Sequence, residues 1–530
     1  MNKMTRLLIY LGMLCLSTPG YAERAEPVQY RPIVPLSGGV NATAAFLGSG
    51  SQAFNLTLPT LQIDLPAPVR GVVKTGEVFP LPAPVTAAQL TWEPVAGGYV
   101  ARVHVVSEQA KRLRFHMVTP EGLATAQFRV QGNLNPMPLG PVSPLATQGN
   151  QLWLPVTDGN AADVELFVGP ATPPTALGLK LDAVNVIVAD VSGGNAAGIA
   201  PKLLGDAKSL QYDLVCAQGV VGASKYAALS QAASSTAKIN YINEKGKSYV
   251  CTGTLLSDKG NTQTPWFVTA NHCLPTQAVA NTATFEWFFQ ATQCGGKTED
   301  PRYAQTYGGA ALLYTDVTLE PSFLKLNQPP ASGAVFSGWD NAINVGEEVW
   351  GVHHPAGDHT MISRGIVQVL LKDIIDTENV PHLIDEVAYN VGGTEGGSSG
   401  SGLFALAKGV AYWKGSLFGG PDDDYAVGQY THFPSYYNNV KPWLETQLSP
   451  AVGAKVNCLL NWAEKTYPSL LSPAGSASQI SAPYLYRYYQ DTRAYLGFSS
   501  VDNHLYYQGP DGKLQDQGNA IPLLSVSSCQ

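Results

Sequence analysis

The sequence predicts a mainly β protein, because it combines few charged residues with many residues that favour turns. Charged side chains make up 14% of the 530 residues and hydrophobic ones 45%, alongside 53 glycines and 38 prolines. This composition suits short strands joined by frequent turns rather than a helical bundle. The length exceeds what one hydrophobic core usually holds, so we expect about three domains.

The first 22 residues have the pattern of a secretory signal peptide. Lys3 and Arg6 give a basic start, residues 7–16 are apolar, and small residues precede a cleavage point after Ala22. The apolar run is shorter than the roughly 20 residues that cross a bilayer, so stable membrane insertion is not expected. We expect a protein secreted to the extracellular space through the periplasm.

Removal of residues 1–22 takes away two basic and no acidic residues, which leaves 30 Lys and Arg against 40 Asp and Glu. Binding to nucleic-acid phosphates requires clustered Lys and Arg, and the sequence contains no such cluster. We therefore exclude nucleic acid as a partner. The six remaining cysteines favour three disulfides in an exported chain, and no paired CxxC or HExxH spacing indicates a metal site.

Composition divides the mature chain into three parts. Residues 23–205 predict a β-sandwich-like domain, because short apolar stretches alternate with Pro- and Gly-rich turns. The stretches are Tyr99–Val106, Arg112–Val118, Val164–Val168 and Leu179–Val188. A Gly-rich linker is expected at Ser192–Ala200, before a domain over residues 209–447.

A second break at Leu448–Gly453 separates a small α+β module over residues 455–530. This module begins with a helix-like run, Leu459–Glu464, and then becomes rich in tyrosine. Its tyrosines could contact a surface or carbohydrate, although ordinary core packing is the more common role of such residues.

Two motifs indicate nucleophilic catalysis. Thr269–Cys273 places His272 directly after an apolar strand and next to a cysteine, and Cys251 lies on the preceding strand. A glycine- and serine-rich turn contains Ser399, whose hydroxyl such a turn would expose, with the N–H groups of Gly397 and Ser399 directed at a developing oxyanion. A lone histidine or a lone Gly/Ser turn is more often structural, but the two cysteines beside His272 and the apolar run Leu403–Ala405 directly after the Ser399 turn favour a catalytic role for both.

These motifs resemble those of the secreted bacterial lysyl endopeptidases, which are trypsin-like serine proteases. The similar segments are Trp266–Cys273, Gly338–Asp340, His353–Pro355 and Thr394–Ser401, and the resemblance covers roughly residues 210–447. It implies a double β-barrel with the active site between two six-stranded barrels. It also implies a serine endopeptidase that forms an acyl-enzyme, needs no cofactor and cleaves protein or peptide substrates after Lys or Arg.

The acidic member of the implied triad is open between two residues. The family places an acid at the head of an apolar strand, and Glu320 fits this pattern without a gap. Asp316 would instead put Glu320 and Pro321 inside a core strand, where proline removes a ladder donor and a buried carboxylate needs a partner. We favour Glu320, although the family normally uses Asp, and keep Asp316 as the alternative.

The resemblance also suggests the substrate-binding residues. Phe418 and Gly419 would lie on the edge strand that pairs with the substrate backbone, with Thr394 and Glu395 nearby. Gly393 occupies the position of the trypsin pocket acid, so a later loop is expected to supply the charge. Asp424 is the first choice within three consecutive aspartates, which could alternatively form a solvated loop.

The resemblance further implies the disulfide pairing and the maturation of the chain. The expected bridges are Cys251–Cys273, Cys216–Cys294 and Cys458–Cys529. Residues 23–205 would be a propeptide that assists folding and is removed after Lys208, or after Lys202. Ser398 stands where trypsin precursors carry the Asp that pairs with the new N-terminal amine, so that switch cannot operate here.

Two other functions are compatible with the same sequence. One is a serine endopeptidase with a different preference for the residue before the cut bond. The other is a catalytically inactive adhesin that retains the protease fold, for which the unusual acid would be the best support. We expect a monomer in either case.

Overall fold

The computed structural model describes most of the chain, with several gaps. The described residues are 23–30, 46, 52–65, 72–119, 126–143, 151–170, 174–189, 212–376, 379–421, 426–445, 450–467, 469–471, 479–481, 484–489, 492–499, 504–510 and 514–519. Strands hold 49% of the described residues and helices 14%, which confirms the mainly β prediction. Within these ranges no helix is long and apolar enough to cross a membrane.

The N-terminal domain is a β-sandwich, as predicted. Its strands are β3 (Phe54–Thr57), β4 (Val73–Thr86), β5 (Glu93–Val95), β6 (Gly98–Val106), β7 (Arg112–Val118), β8 (Gln127–Gly132), β9 (Leu139–Val142), β10 (Gln151–Trp153), β11 (Thr157–Asp158), β12 (Ala161–Val168) and β13 (Lys180–Ile187). One sheet has the order β3-β6-β12-β8-β9, and the other begins β10-β7-β13-β4. Apolar side chains from both sheets, such as Val103 and Phe115, form one fully buried core because alternate residues of each strand face inward.

The central body, residues 212–445, consists of two β-rich halves. The first half contains α1 (Ala223–Ser235), β14 (Thr236–Ile242), β15 (Lys247–Leu256), β16 (Trp266–Ala270), α2 (Gln277–Ala280), β17 (Thr284–Trp287), β18 (Ala304–Thr306), β19 (Ala310–Thr315) and β20 (Pro321–Leu326). These strands pair in the order β18-β17-β14-β15-β16-β20-β19, which is one strand more than the resemblance implied.

The second half contains a closed six-stranded barrel. The elements of this half are β21 (Val335–Phe336), β22 (Gly338–Asp340), β23 (Glu348–His353), β24 (Met361–Ile375), β25 (Pro381–Val391), β26 (Gly402–Ala407), β27 (Val410–Gly419), β28 (Val427–Thr431) and α3 (Phe433–Leu444). The ring runs β23-β24-β25-β28-β27-β26 and closes between β26 and β23. Closure removes free strand edges from this ring, while β21 and β22 lie outside it.

The first described residues contact the central body rather than the sandwich to which we assigned them. Strand β1 (Arg24–Ala25) pairs with β22, and β2 (Val28–Gln29) pairs with β21. The hydroxyl of Tyr412 donates a 2.6 Å hydrogen bond to the carboxylate of Glu26. Sequence pattern could not predict this, because a short strand does not indicate which edge it will join.

The C-terminal module contains the predicted helix followed by strands. Helix α4 (Pro450–Thr466) packs on an antiparallel sheet of β29 (Gln479–Ser481), β30 (Tyr484–Tyr489), β31 (Ala494–Ser499), β32 (His504–Gln508) and β33 (Leu514–Asn519). The predicted break at 448–453 is wrong in its second part, because the helix already includes residues 450–453. The predicted linker at 192–200 lies outside the described residues.

The sandwich and the central body share one sheet. Strand β4 pairs antiparallel with β15, with Glu77 opposite Lys247 and Val73 opposite Val250, so a single sheet of twelve strands runs through both. Separation of the two units would therefore break a backbone ladder whose N–H and C=O groups are paired across the boundary.

A buried ion cluster reinforces this boundary. The Arg112 guanidinium of the sandwich lies 2.6 Å from Oε1 of Glu286 and 2.8 Å from Oδ1 of Asp158. Nζ of Lys238 lies 2.7 Å from the other oxygen of Glu286, and Lys238 and Glu286 are both fully buried. Burial alone would raise the pKa of Glu286, but Arg112 and Lys238 lower it to about 2. The carboxylate therefore stays ionised and compensates two buried cations.

Arg112→Met should lower the free energy of unfolding of the uncut chain by about 3–5 kcal/mol, because one partner of a buried ion pair is removed. Since the pKa of Glu286 is depressed, its stabilising contribution is present above the ordinary value of 4.5 and is lost as the pH falls toward 2. Urea unfolding measures the change. Lys225→Met is the matched control, because Lys225 forms a half-exposed pair with Glu348 that is worth at most about 1 kcal/mol. Equal small losses in both variants would contradict the assigned role of Arg112.

Candidate active site

His272 lies two residues after the end of strand β16 and is fixed on both sides. The next residue, Cys273, forms a disulfide with Cys251 of β15, and the two sulfurs and a ring nitrogen of His272 lie within 4.8 Å of one another. The backbone N–H of Asn271 donates a 2.7 Å hydrogen bond to the carbonyl of Glu320. The two sulfurs are joined to each other and are therefore not thiolate ligands for a metal.

Glu320 is the acid that the structure brings to His272. Its Oε2 lies 3.0 Å from Nδ1 of the imidazole, and its side chain is only 3% exposed. Glu320 has a φ of 66°, in the left-handed region that costs a residue with a side chain of order 1 kcal/mol. Pro321 then begins β20, as the preference for Glu320 assumed. The carboxylate thus projects from the turn before the strand rather than from the strand itself.

Asp316 shapes the same turn but has other partners. One of its carboxylate oxygens accepts hydrogen bonds from the N–H groups of Thr318 and Leu319, at 2.9 and 2.8 Å. The other accepts a 3.2 Å bond from the hydroxyl of Tyr314. Its carbonyl accepts from the N–H of Glu320 at 2.8 Å. Asp316 therefore supports the turn that carries Glu320 toward the imidazole.

Ser399 lies in a turn that two glycines make possible. Gly397 and Gly400 have φ values of 90° and 81°, which are unfavourable for other residues. A Cβ on Gly400 would lie 2.0 Å from Oγ1 of Thr269, so only glycine fits there. The N–H groups of Ser398 and Gly400 donate to the carbonyls of Glu395 and Leu417.

The N–H groups of Gly397 and Ser399, which we predicted as oxyanion donors, are available. Among the described residues neither group donates to another group, although the Ser399 residue is 99% buried. Buried backbone donors are normally paired, and an unpaired pair within one turn is the arrangement that an oxyanion hole requires.

Thr252, which the sequence did not single out, holds this turn against the His272 segment. Its N–H donates to the carbonyl of Ser399 at 2.8 Å, and its hydroxyl donates to the carbonyl of Gly397 at 2.9 Å. Sγ of Cys273 lies 3.8 Å from the same Ser399 carbonyl. Ser399 is thus placed beside the residue that follows His272.

The second ring nitrogen of His272, Nε2, is buried and faces no hydrogen-bonding group of the described residues. The ring of Phe418 contacts the imidazole edge to face, at 5.9 Å between centroids, and the ring of His382 lies 4.6 Å from that of Phe418. An imidazole held by a carboxylate at Nδ1 and open at Nε2 can act as a general base.

The structure locates most of the remaining predicted residues. Phe418 and Gly419 are the last two residues of strand β27, which lies in the barrel ring between β26 and β28, and Gly419 pairs with Gln429 of β28. The binding of substrate backbone by this strand end stays a prediction. Thr394 is buried and Glu395 half-buried just before the Ser399 turn. Asp424 lies outside the described residues.

Two of the three predicted disulfides have both cysteines among the described residues. The bridges Cys251–Cys273 and Cys216–Cys294 are formed as predicted. The expected pair Cys458–Cys529 includes Cys529, which lies outside the described residues, so that pairing stays a prediction.

Comparison with known proteins identifies two matching family models. Residues 204–434 match "Lysyl endopeptidase, C-terminal domain", and residues 80–187 match "Lysyl endopeptidase N-terminal domain". Together they cover more than half of the chain. The match to an N-terminal domain model extends the likeness to the sandwich, where the sequence motifs gave no signal.

Individual relatives match over shorter stretches. A lysyl endopeptidase of Pseudomonas aeruginosa is 32% identical over 275 residues, which is 51% of this chain and 57% of that protein. The secreted RxLR effector protein 73 of Plasmopara viticola is 30% identical over 30% of this chain and 39% of its own length. The chain therefore spans less than two thirds of the length of either relative.

Among solved structures, a protease of M. tuberculosis in its active form is 17% identical. The match covers 42% of this chain and 85% of that one, with a TM-score of 0.29.

Replacing both Cys251 and Cys273 with serine should destabilise the central body by roughly 3 kcal/mol, because the bridge closes a short loop that carries His272. Thermal unfolding of the oxidised wild type and the double variant measures the loss. Mass mapping of wild type should find both thiols joined to each other. A free thiol at either position in the native protein would contradict the pairing.

Proposed function

Because the chain belongs to the lysyl endopeptidase family, we propose that it is a serine endopeptidase that cleaves peptide bonds after Lys or Arg. The observation that carries the proposal is the 3.0 Å contact between Nδ1 of His272 and the buried carboxylate of Glu320. Support also comes from the two unpaired N–H groups in the turn of Ser399. No cofactor is needed for this chemistry.

In the proposed mechanism, Ser399 is the nucleophile and His272 the general base. Nε2 of His272 accepts the hydroxyl proton as Oγ of Ser399 attacks the substrate carbonyl, and the N–H groups of Gly397 and Ser399 stabilise the oxyanion. Collapse expels the amine, which takes the proton from the imidazolium, and leaves an acyl-enzyme. Water then attacks the ester with the imidazole again acting as base, which releases the acid and restores the hydroxyl.

Glu320 takes the orienting role in this proposal. A carboxylate at Nδ1 keeps the proton on that nitrogen, so Nε2 is free to accept, and it stabilises the imidazolium that forms. A glutamate differs from an aspartate by one methylene, and the left-handed turn before β20 supplies the matching backbone position. The partners of Asp316 support a role in shaping that turn instead.

The preference for Lys or Arg rests on a carboxylate near the substrate side chain. We assign Asp424 as the first choice, since it belongs to the connection between the paired strands β27 and β28, and Leu417 of β27 accepts a hydrogen bond from the N–H of Gly400, the residue after Ser399. Glu395 is the second choice. Phe418 and Gly419 would bind the substrate backbone along the end of β27.

We further propose secretion and maturation by cleavage. The signal-peptide pattern of residues 1–22 supports export. Cleavage after Lys208 by the enzyme itself would separate the sandwich from the central body in sequence. The twelve-stranded sheet and the Arg112 cluster favour a cut sandwich that stays bound to the central body at first.

A peptide library digested with the purified protein tests the proposed activity and its specificity together. We expect cleavage mainly after Lys and Arg in wild type. Ser399→Ala should lower turnover by roughly 10⁴–10⁶-fold with unchanged thermal stability. Asp424→Asn should reduce cleavage after basic residues more than after others. Undiminished cleavage by Ser399→Ala would refute the proposed function, and no cleavage by wild type would favour the inactive adhesin.

Glu320→Gln should lower kcat by about 10⁴-fold, because the imidazole loses the partner that fixes its tautomer. Asp316→Asn is the matched control, since it removes one charge from the same turn without touching the imidazole, and we expect a much smaller change in kcat. Steady-state kinetics on one peptide substrate compare the two. If Asp316→Asn is the more damaging change, the assignment of the acid is wrong.

A further inference from the structure

Ser398, the residue before Ser399, forms a hydrogen bond with the buried side chain of His353. Oγ of Ser398 lies 2.9 Å from Nδ1 of His353, and both side chains are fully buried. The N–H of Glu395 donates to the same hydroxyl over a longer distance of 3.4 Å. The hydroxyl can therefore accept from Glu395 while it donates its own proton to the imidazole.

The residues after His353 follow the Ser399 turn closely. The N–H of Ala356 donates a 2.6 Å hydrogen bond to the carbonyl of Gly396. The N–H of His354 donates to Oγ1 of Thr252 at 3.1 Å. A Cβ on Gly397 would lie 3.0 Å from backbone atoms of this segment. The segment 353–357 and the turn are therefore in contact along their length.

His353 is itself rigidly placed. It is the last residue of β23, where it pairs with Met361 of the neighbouring strand. Its Nε2 has no hydrogen-bond partner among the described residues, so the bond to Ser398 is the one polar contact of the ring within them. Burial lowers the pKa of His353 to about 3, and the imidazole is neutral at neutral pH. A neutral, buried imidazole with a single partner has no evident role in the rest of the barrel.

We infer that His353 is a positioning residue that, by binding Ser398, fixes the turn whose Gly397 and Ser399 N–H groups stabilise the oxyanion. The inference rests on the proposed function and extends it. Trypsin precursors carry at the position of Ser398 an Asp that pairs with the new N-terminal amine. Ser398 has no charge and cannot form that ion pair, so its hydrogen bond with His353 orders the turn instead. The bond is present in the uncut chain, so no amine released by cleavage is required to order the turn.

The second-order rate of labelling by a fluorophosphonate probe tests this inference, because the reaction needs an activated Ser399 and a formed oxyanion site but no particular specificity pocket. Ser398→Ala and His353→Phe should each lower the rate by about 10²-fold, the loss typical of a small displacement of reacting groups. His353→Asn, whose side chain can still bond at the position of Nδ1, should recover most of it. The double variant should be no slower than either single one, since both remove the same bond.

Ser235→Ala is the matched control, because Ser235 is also fully buried and its hydroxyl donates a 2.7 Å bond to the carbonyl of Ala232, away from the turn. It should lose as much thermal stability as Ser398→Ala while labelling at the wild-type rate. Wild-type rates in Ser398→Ala at a temperature where it is folded would overturn the inference, as would losses that add in the double variant. If wild type itself is not labelled, the proposed function fails and the inference fails with it.

Discussion

The candidate active site depends on the contacts of one buried residue, Thr252 on strand β15. Its N–H and hydroxyl bind the carbonyls of Ser399 and Gly397, which belong to the second half of the central body. Its own carbonyl accepts a 2.7 Å bond from the hydroxyl of Thr269, three residues before His272. A single residue, through its backbone and its hydroxyl, therefore connects the segment that carries the proposed base to the turn that carries the proposed nucleophile. Bonds of this kind gain strength in a dry interior, where an unmet partner would be costly.

The same strand links the site to the N-terminal sandwich. The first residues of β15 pair with β4, and its next residue, Cys251, is bridged to Cys273. Pairing with β4 therefore fixes the position of β15, the strand whose residues hold the His272 and Ser399 segments in place. This continuity gives a physical reason why the sandwich would assist folding of the central body. The Arg112 cluster strengthens the contact between sandwich and central body. Without the Arg112 cation, the buried carboxylate of Glu286 would lose one of the two positive charges that stabilise its ionised form.

The sequence predicted the parts of the site that depend on local chemistry. Pro321 indicated where β20 begins and so favoured Glu320 over Asp316 as the residue at its head, and the glycines around Ser399 indicated a tight turn. Contacts between distant segments were not predictable in the same way. The bond from Thr252 to Gly397 joins residues 145 positions apart, and nothing in a buried threonine distinguishes it from other core residues. His353 was noticed only as part of a motif, because its role depends on the position of Ser398 in three dimensions.

Mass-spectrometric mapping of the residue modified by a fluorophosphonate tests the central claim most directly, namely that this packing makes one particular serine nucleophilic. Three serines, Ser398, Ser399 and Ser401, occupy the same turn, and only Ser399 has its N–H unpaired beside that of Gly397. We predict a single adduct, on Ser399, formed in wild type and lost when His272 is replaced by alanine. An adduct on Ser398 or Ser401, or equal labelling without His272, would contradict the account.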